Sequence, residues 1–221
     1  MWPRCYLSSS VLEIRKKRLH CRYQEGLLLP RVWFINPDDT GIIQLQRDRF
    51  LHNWKKGKPT DSYPRYHTVI DMFRRQLQLF EEFLKDQSLG AIQPIQYEMT
   101  YVNHIAVGES SLDRSDPGQI FRDYQRRSEK RFLPGIEHLQ LRSSFELPNR
   151  EGRLHASIQD TKRNALSDPI YLFELTVRGL PSDNSREGMW KWFEMSREWI
   201  VRGFADLTTE EAQKTLWGRT R

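Results

Sequence analysis

The sequence has two cysteines in 221 residues and no uncharged apolar run long enough to span a bilayer. Cys5 and Cys21 have no metal-like spacing and no neighbouring histidine cluster, so they predict neither a disulfide framework nor a zinc site. The basic run 15–18 follows the short apolar patch instead of preceding it, unlike a secretory signal. We therefore expect a soluble, reduced, cytoplasmic protein without membrane association.

The sequence also lacks the short motifs that hold nucleophiles, phosphates or metals. It contains no GxSxG, no Gly-rich phosphate loop, no HExxH and no CxxC. The histidines occur singly, at His20, His52, His67, His104, His138 and His155. No metal and no cofactor is predicted, and a paired-carboxylate site is neither located nor excluded.

The chain does contain many aromatic residues, including seven tryptophans, which argues against disorder. Its net charge of +6 raises the question of nucleic-acid binding. Residues 1–25 carry six basic against two acidic side chains, whereas the other 196 carry 29 against 27. Dense mixed charge of this kind is typical of a solvated surface. One basic tract supports the nucleic-acid alternative, namely Arg122, Arg126, Arg127, Lys130 and Arg131.

The first part of the chain predicts a hairpin followed by a helix. Residues 31–35 form a short strand, 36–41 a turn, and 41–56 the returning strand. Residues 56–64 form a loop. Apolar residues then recur at three- and four-residue steps, which predicts an amphipathic helix through Ile70, Phe73, Leu77, Phe80 and Leu84.

The second part predicts four more strands and three helices. The strands are 94–107, 139–147, 154–161 and 170–177, the last three as a meander. Asp116-Pro117 predicts the start of a helix that carries Ile120, Phe121 and Tyr124. A long helix spans 186–207, and Thr208 is expected to cap a short terminal helix, with Glu211 completing a capping box.

These elements predict an α+β fold in which amphipathic helices cover an antiparallel β-sheet built from a hairpin and a meander. We expect one α+β domain over 30–221. Because strands with a covering helix occur twice, two similar halves are expected, at about 30–112 and 113–221.

Charged residues interrupt the predicted strand 41–56 on both faces. A half-buried strand alternates apolar and polar residues, so one face should have stayed apolar. The candidate polar constellation consists of Arg47, Asp48, Arg49, Asn53, Glu98, Asn103 and His104. One hypothesis is a pocket in which an arginine binds an anion and His104 moves a proton. The favoured hypothesis is a structural ion network in which Arg49 pairs with Asp48 or Glu98.

The long helix at 186–207 is rich in aromatic residues. Trp192 and Trp199 are seven residues apart and so share a face, while Phe193, Ile200 and Phe204 lie on another. An exposed face would offer Trp192 and Trp199 to a partner chain or to nucleic-acid bases. Burial of the helix on two sides is the favoured interpretation.

Several stretches resemble a sporadically distributed prokaryotic family of unknown function. They are "PRVWFIN", "QLQRDRFLHNW", "TYVNHI" and "EWIVRGFADLTT", and the resemblance begins near residue 30. It implies a fold and a soluble prokaryotic setting but no reaction. Residues 1–29 depart from the family, and we interpret them as an atypical basic segment, truncated or disordered.

The leading functional hypothesis is a non-enzymatic binding or accessory protein in a mobile or defence-type gene cluster, with a protein partner or a homo-oligomeric state. The alternatives are a nucleic-acid-binding protein and a small-molecule enzyme that uses Arg47, Arg49, Glu98 and His104. The absence of catalytic motifs favours the first hypothesis.

Overall fold

The computed structural model describes residues 31–56, 58, 60–106, 116–124, 132–162 and 169–218, and the backbone of 4–9. They divide into two compact units. The N-terminal unit comprises Arg4–Thr100 and Arg178–Leu180, and the C-terminal unit comprises Tyr101–Val177 and Pro181–Arg221. Most of the atypical segment 1–29 therefore lies outside the described residues.

The N-terminal unit contains four antiparallel strands in the order β2-β3-β4-β1, together with helix α1. Their bounds are β1 Arg4–Ser9, β2 Val32–Ile35, β3 Gly41–Gln46, β4 Arg49–Trp54 and α1 Tyr66–Asp86. The sequence predicted no strand at β1, which pairs with β4. The hairpin predicted at residue 31 is confirmed in its first two strands.

The single strand predicted over 41–56 is wrong, because the chain reverses in its middle. Gln46 pairs with Arg49, and Arg47 and Asp48 form the two-residue turn between β3 and β4. Neither turn residue has a positive φ, so the turn needs no glycine or asparagine. The charges lie at the tip of a hairpin, where a turn exposes side chains to solvent.

Helix α1 forms as its periodicity predicts. Its buried residues are Tyr66, Val69, Ile70, Phe73, Leu77 and Leu84. Phe50 of β4 packs against it, with ring centroids 6.0 Å from Phe73 and 5.2 Å from Phe80. The helix therefore covers the face of the sheet to which Phe50 belongs.

The C-terminal unit holds the later part of β5, then β6, β7 and β8 as far as Val177, and helices α2 and α3. Their bounds are β5 Tyr97–Ala106, β6 Gln140–Glu146, β7 Arg153–Lys162, β8 Pro169–Gly179, α2 Arg186–Leu207 and α3 Glu210–Trp217. The strand order is β5-β8-β7-β6. These four strands and the long helix are confirmed, to within a few residues at their ends.

Aromatic rings pack in the core of the C-terminal unit, and one glycine of α2 lies close to β7. Phe173 of β8 is fully buried and lies 5.5 Å from Phe121 and 5.6 Å from Phe204 between ring centroids. At Gly203 of α2 a Cβ atom would lie 2.8 Å from Leu154 Cδ2, so a larger residue there would require the Leu154 side chain to shift.

Two predicted helix starts need correction. Asp116 caps a turn of 3₁₀ helix over Pro117–Gln119 by accepting from Gly118 N, and Phe121 then forms a bridge with Thr208. The described part of that segment holds no longer helix. The cap of the terminal helix is Thr209, not Thr208, and its hydroxyl accepts from Ala212 N, so Glu211 does not occupy the capping-box position.

The fold is thus α+β, with antiparallel strands and covering helices. Within the described ranges, no helix is both long and apolar enough to cross a membrane.

Candidate functional site

The charged tripeptide of the predicted constellation lies at the tip of the β3–β4 hairpin. Arg47 and Arg49 are exposed and Asp48 is half-buried. Arg49 forms no ion pair or side-chain hydrogen bond with any described residue, contrary to the predicted pairing with Asp48 or Glu98. Since charged side chains in a turn keep their hydration, no buried partner is needed.

The other members of the constellation have separate partners. Glu98 forms an ion pair with Arg178 in the N-terminal unit. Asn103, in the C-terminal unit, donates from Nδ2 to the Phe173 carbonyl oxygen at 3.3 Å, and His104 is half-buried beside it in sequence. Asn53 is 2% exposed, and its Oδ1 has no hydrogen-bond partner among the described residues. Within the N-terminal unit, Glu98 therefore pairs with Arg178 and not with the arginines of the hairpin tip.

The two tryptophans predicted as interaction residues differ in burial. Trp192 is 1% exposed, and its Nε1 donates to the Glu151 carbonyl oxygen at 3.0 Å. It therefore offers no surface to a partner. Trp199 is half-buried and lines an open groove of about 580 Å³ in the C-terminal unit, together with Phe145, Leu154, Val201, Gly203 and Leu207.

The basic tract that supports nucleic-acid binding is described only at Arg122. Its Nη2 donates to the Thr208 carbonyl oxygen at 3.4 Å, so this arginine fixes the chain next to α3. Residues 126–131 lie outside the described ranges.

A second groove, of about 540 Å³, opens in the N-terminal unit between the β2–β3 turn and α1. His52 of β4 lies at its base and is 2% exposed. Gln76 Oε1 lies 2.6 Å from Nδ1, a hydrogen-bond distance that ties the ring to helix α1. Asn36 shapes the rim, because its Oδ1 accepts from the backbone of Thr40 and Gly41.

Burial controls the protonation of His52. Removing the ring from water disfavours the imidazolium and lowers the pKa of His52 below its ordinary value of 6.5, and the hydrogen bond with Gln76 offsets this only in part. The histidine is therefore neutral at physiological pH. The described residues contain no group of metal-ligating side chains around it.

Strand β2 is the most unusual surface of the described structure. It stands at the end of the strand order, and all four of its apolar side chains are exposed. The exposed fractions are 42% for Val32, 54% for Trp33, 56% for Phe34 and 50% for Ile35. Soluble proteins normally shorten, charge or cover such an edge, since its unpaired backbone groups invite another strand.

The register assigns these side chains to two faces. Phe34 opposes Ile43 and Val32 opposes Leu45, which shares the α1-covered face with Phe50. Trp33 and Ile35 therefore project from the opposite face. On the covered face, helix α1 adds a stripe of exposed apolar residues, Met72, Leu79 and Phe83.

The sequence predicts β2 as a strand but does not predict its exposure. A run of four apolar residues is typical of a strand buried on both faces, so composition argued for the interior. The prolines that bracket it, Pro30 and Pro37, could have indicated an edge, because proline donates no hydrogen bond to a neighbouring strand.

Comparison of the chain with protein-family models, with curated proteins and with solved structures finds no match.

Proposed function

We propose that this protein is a non-enzymatic binding protein that takes an extended segment of a protein partner onto the free edge of β2. One observation carries the proposal: four consecutive apolar side chains, each between 42% and 56% exposed, lie on an edge strand. Contiguous exposed apolar surface on a soluble protein marks a site of interaction.

The backbone of β2 supports strand addition. The backbone N–H of Asn36 donates to the Gly41 carbonyl oxygen at 3.0 Å, so the backbone hydrogen-bonding groups of Asn36 point toward β3. The direction of the backbone N–H and C=O groups alternates along an antiparallel strand. The backbone groups of Phe34 and Val32 therefore also point toward β3. Trp33 and Ile35 then present their N–H and C=O groups to the free edge, where an added strand can pair with them.

The side chains of β2 would add apolar contacts to these backbone hydrogen bonds. A strand laid beside β2 would place residues against Val32 and Phe34 on one face and against Trp33 and Ile35 on the other. Trp and Phe are also the residue types enriched at the centres of protein interfaces. The preferred ligand is therefore an extended segment with apolar residues on both faces.

A matched pair of isoleucines tests the proposal. Ile35 and Ile95 are 50% and 52% exposed, and only Ile35 lies in β2. We expect Ile35→Lys to abolish capture of a partner from a lysate of the native host, whereas Ile95→Lys retains it. In the purified complex, the amides of Trp33 and Ile35 should become protected from hydrogen exchange.

Equal capture by both variants, or a complex in which these two amides stay unprotected, would contradict the proposal. Because both substitutions are at exposed positions, each variant should melt within a few degrees of the wild type.

A further inference from the structure

The charges at the two ends of β2 are of opposite sign. Arg31 precedes the strand and is exposed, while Asp38 and Asp39 follow it and are exposed. With the Gln46 amide oriented so that its oxygen faces Arg31, that oxygen accepts from Nε at 2.7 Å and from Nη2 at 3.0 Å. The guanidinium is thus positioned by a neutral group, and no acidic side chain of the described residues pairs with it.

The two aspartates are not equivalent. Asp39 forms an ion pair of 2.9 Å with Lys55. Asp38 makes no ion pair or side-chain hydrogen bond with any residue that the structure describes. Among the described residues, the strand therefore carries an unpaired positive charge at its start and an unpaired negative charge just after its end.

This arrangement is complementary to itself when the strand is reversed. An antiparallel second copy of β2 would bring the Arg31 end of each strand beside the Asp38 end of the other, and the two-fold axis would create the contact twice. A parallel copy would instead place like charges together, which disfavours pairing.

Backbone direction restricts the register of such a pair. A residue whose backbone N–H and C=O groups point away from β3 must lie opposite another such residue in the second copy. A two-fold axis between Trp33 and Phe34 is therefore excluded, because it would place Trp33 opposite Phe34. Shifting the second strand by one residue moves the axis toward the C-terminus. Trp33 then lies opposite Ile35 of the second copy, and Phe34 lies opposite Phe34 of the second copy. This shift also brings Arg31 opposite Pro37 of the second copy, next to Asp38.

We infer that the segment taken by the β2 edge is β2 of a second copy of this chain, paired antiparallel about a two-fold axis at Phe34. The inference rests on the proposed function and specifies its partner. Four backbone hydrogen bonds, between Trp33 and Ile35 of the two copies, would join the strands, with an Arg31–Asp38 ion pair at each end. A contact of this size belongs to the small interfaces, so the dimer should dissociate on dilution.

Charge reversal tests the inference. Sedimentation velocity over about 1 µM to 1 mM should show a monomer–dimer equilibrium for the wild-type chain. Arg31→Asp and Asp38→Arg should each weaken the dimer on the order of tenfold, because each places like charges together at both ends. The double variant should recover the wild-type affinity, since it restores opposite charges with their positions exchanged.

Crosslinking tests the register independently. In a background in which Cys5 and Cys21 are replaced by serine, Phe34→Cys should form an intermolecular disulfide on mild oxidation. Opposed residues at a non-hydrogen-bonded antiparallel pair have Cα atoms about 4.5 Å apart, within the range that a disulfide spans. Trp33→Cys is the matched control and should crosslink far less, because it faces Ile35.

A wild-type chain that stays monomeric over the whole range would overturn the inference, as would a double variant no tighter than the single ones. Efficient crosslinking at Trp33→Cys with none at Phe34→Cys would overturn the register. None of these results bears on the capture of a different protein by the edge, which the Ile35→Lys and Ile95→Lys pair decides.

Discussion

Strands β8 and β2 are both rich in apolar residues but have opposite environments. In β8, Phe173, Leu175 and Val177 are each 0% exposed. In β2, no side chain is less than 42% exposed. The strand order explains the difference: β8 has a neighbour on each side and helix α2 in the same unit, whereas β2 ends the strand order of its unit. Apolar composition therefore predicts a strand without predicting what covers it.

The largest test of this comparison exchanges phenylalanine for alanine in both strands. Phe173→Ala removes a ring that packs between Phe121 and Phe204, and we expect it to lower the free energy of unfolding by about 3–5 kcal/mol. Phe34→Ala in dilute solution should change it by about 0.5 kcal/mol or less. Urea denaturation measures both values.

If Phe173→Ala does not fold, Phe173→Leu gives a smaller loss on the same scale. Comparable losses for the two alanine variants would show that β2 is packed like β8, and would remove the basis for a binding edge.

Two tryptophans give the second test. Trp192→Phe removes the donor to the Glu151 carbonyl and should lower the free energy of unfolding by about 1–3 kcal/mol. Trp33→Phe exchanges one exposed aromatic ring for another and should change it by about 0.5 kcal/mol or less. Chemical denaturation monitored by circular dichroism avoids the change in tryptophan fluorescence. A larger loss at Trp33 would contradict its exposure.

The third test uses pH, since the buried face of β4 holds His52. Burial lowers the pKa of His52 in the folded state. Below about pH 6.5, His52 is therefore protonated in the unfolded chain but remains neutral in the folded chain. Stability should therefore fall with decreasing pH, by at most about 1.4 kcal/mol per pH unit from this residue, until the pH reaches the lowered pKa.

His52→Gln does not titrate, so its stability relative to the wild type should improve steadily as the pH is lowered from 7.5 to about 5. Denaturation midpoints of both proteins across this range provide the measurement. A constant difference between them would show that the folded and unfolded chains protonate His52 alike.

The smallest expected effect concerns the hairpin tip. Arg49→Ala should change the free energy of unfolding by about 0.5 kcal/mol or less, because its side chain is exposed and unpaired among the described residues. Arg178→Ala breaks the ion pair with half-buried Glu98 and should cost about 0.2–1 kcal/mol. A loss of 2 kcal/mol or more at Arg49 would restore the hypothesis of a structural ion network around it.

The elements were predictable where periodicity was strong. The stripe through Ile70, Phe73 and Leu77 predicted α1, and the apolar alternation around Tyr97 predicted β5, because both patterns are local consequences of backbone geometry. The Arg47–Asp48 turn was missed because it has no such local pattern. It uses ordinary backbone conformations, so no glycine or asparagine marks it.

The candidate site was much less predictable than the fold. Polar residues in an apolar context pointed to Arg49, yet a charged turn and a charged strand centre contain the same residue types. The apolar composition of β2 did not predict its edge position, since four apolar residues in a row are more typical of a strand inside a sheet. Contacts distant in sequence decide both cases, and no local pattern encodes them.

The sequence by itself determined the α+β class, the positions of most strands and helices, and the aromatic content from which the cores are built. Hydrophobic periodicity is a property of neighbouring residues, so it survives without knowledge of the rest of the chain. Only the tertiary structure decided that Trp192 is buried, that His52 lies at the base of a groove, and that Trp33 and Phe34 face solvent. Burial depends on which elements meet, and it is the pairing of strands that leaves β2 at the edge of its unit.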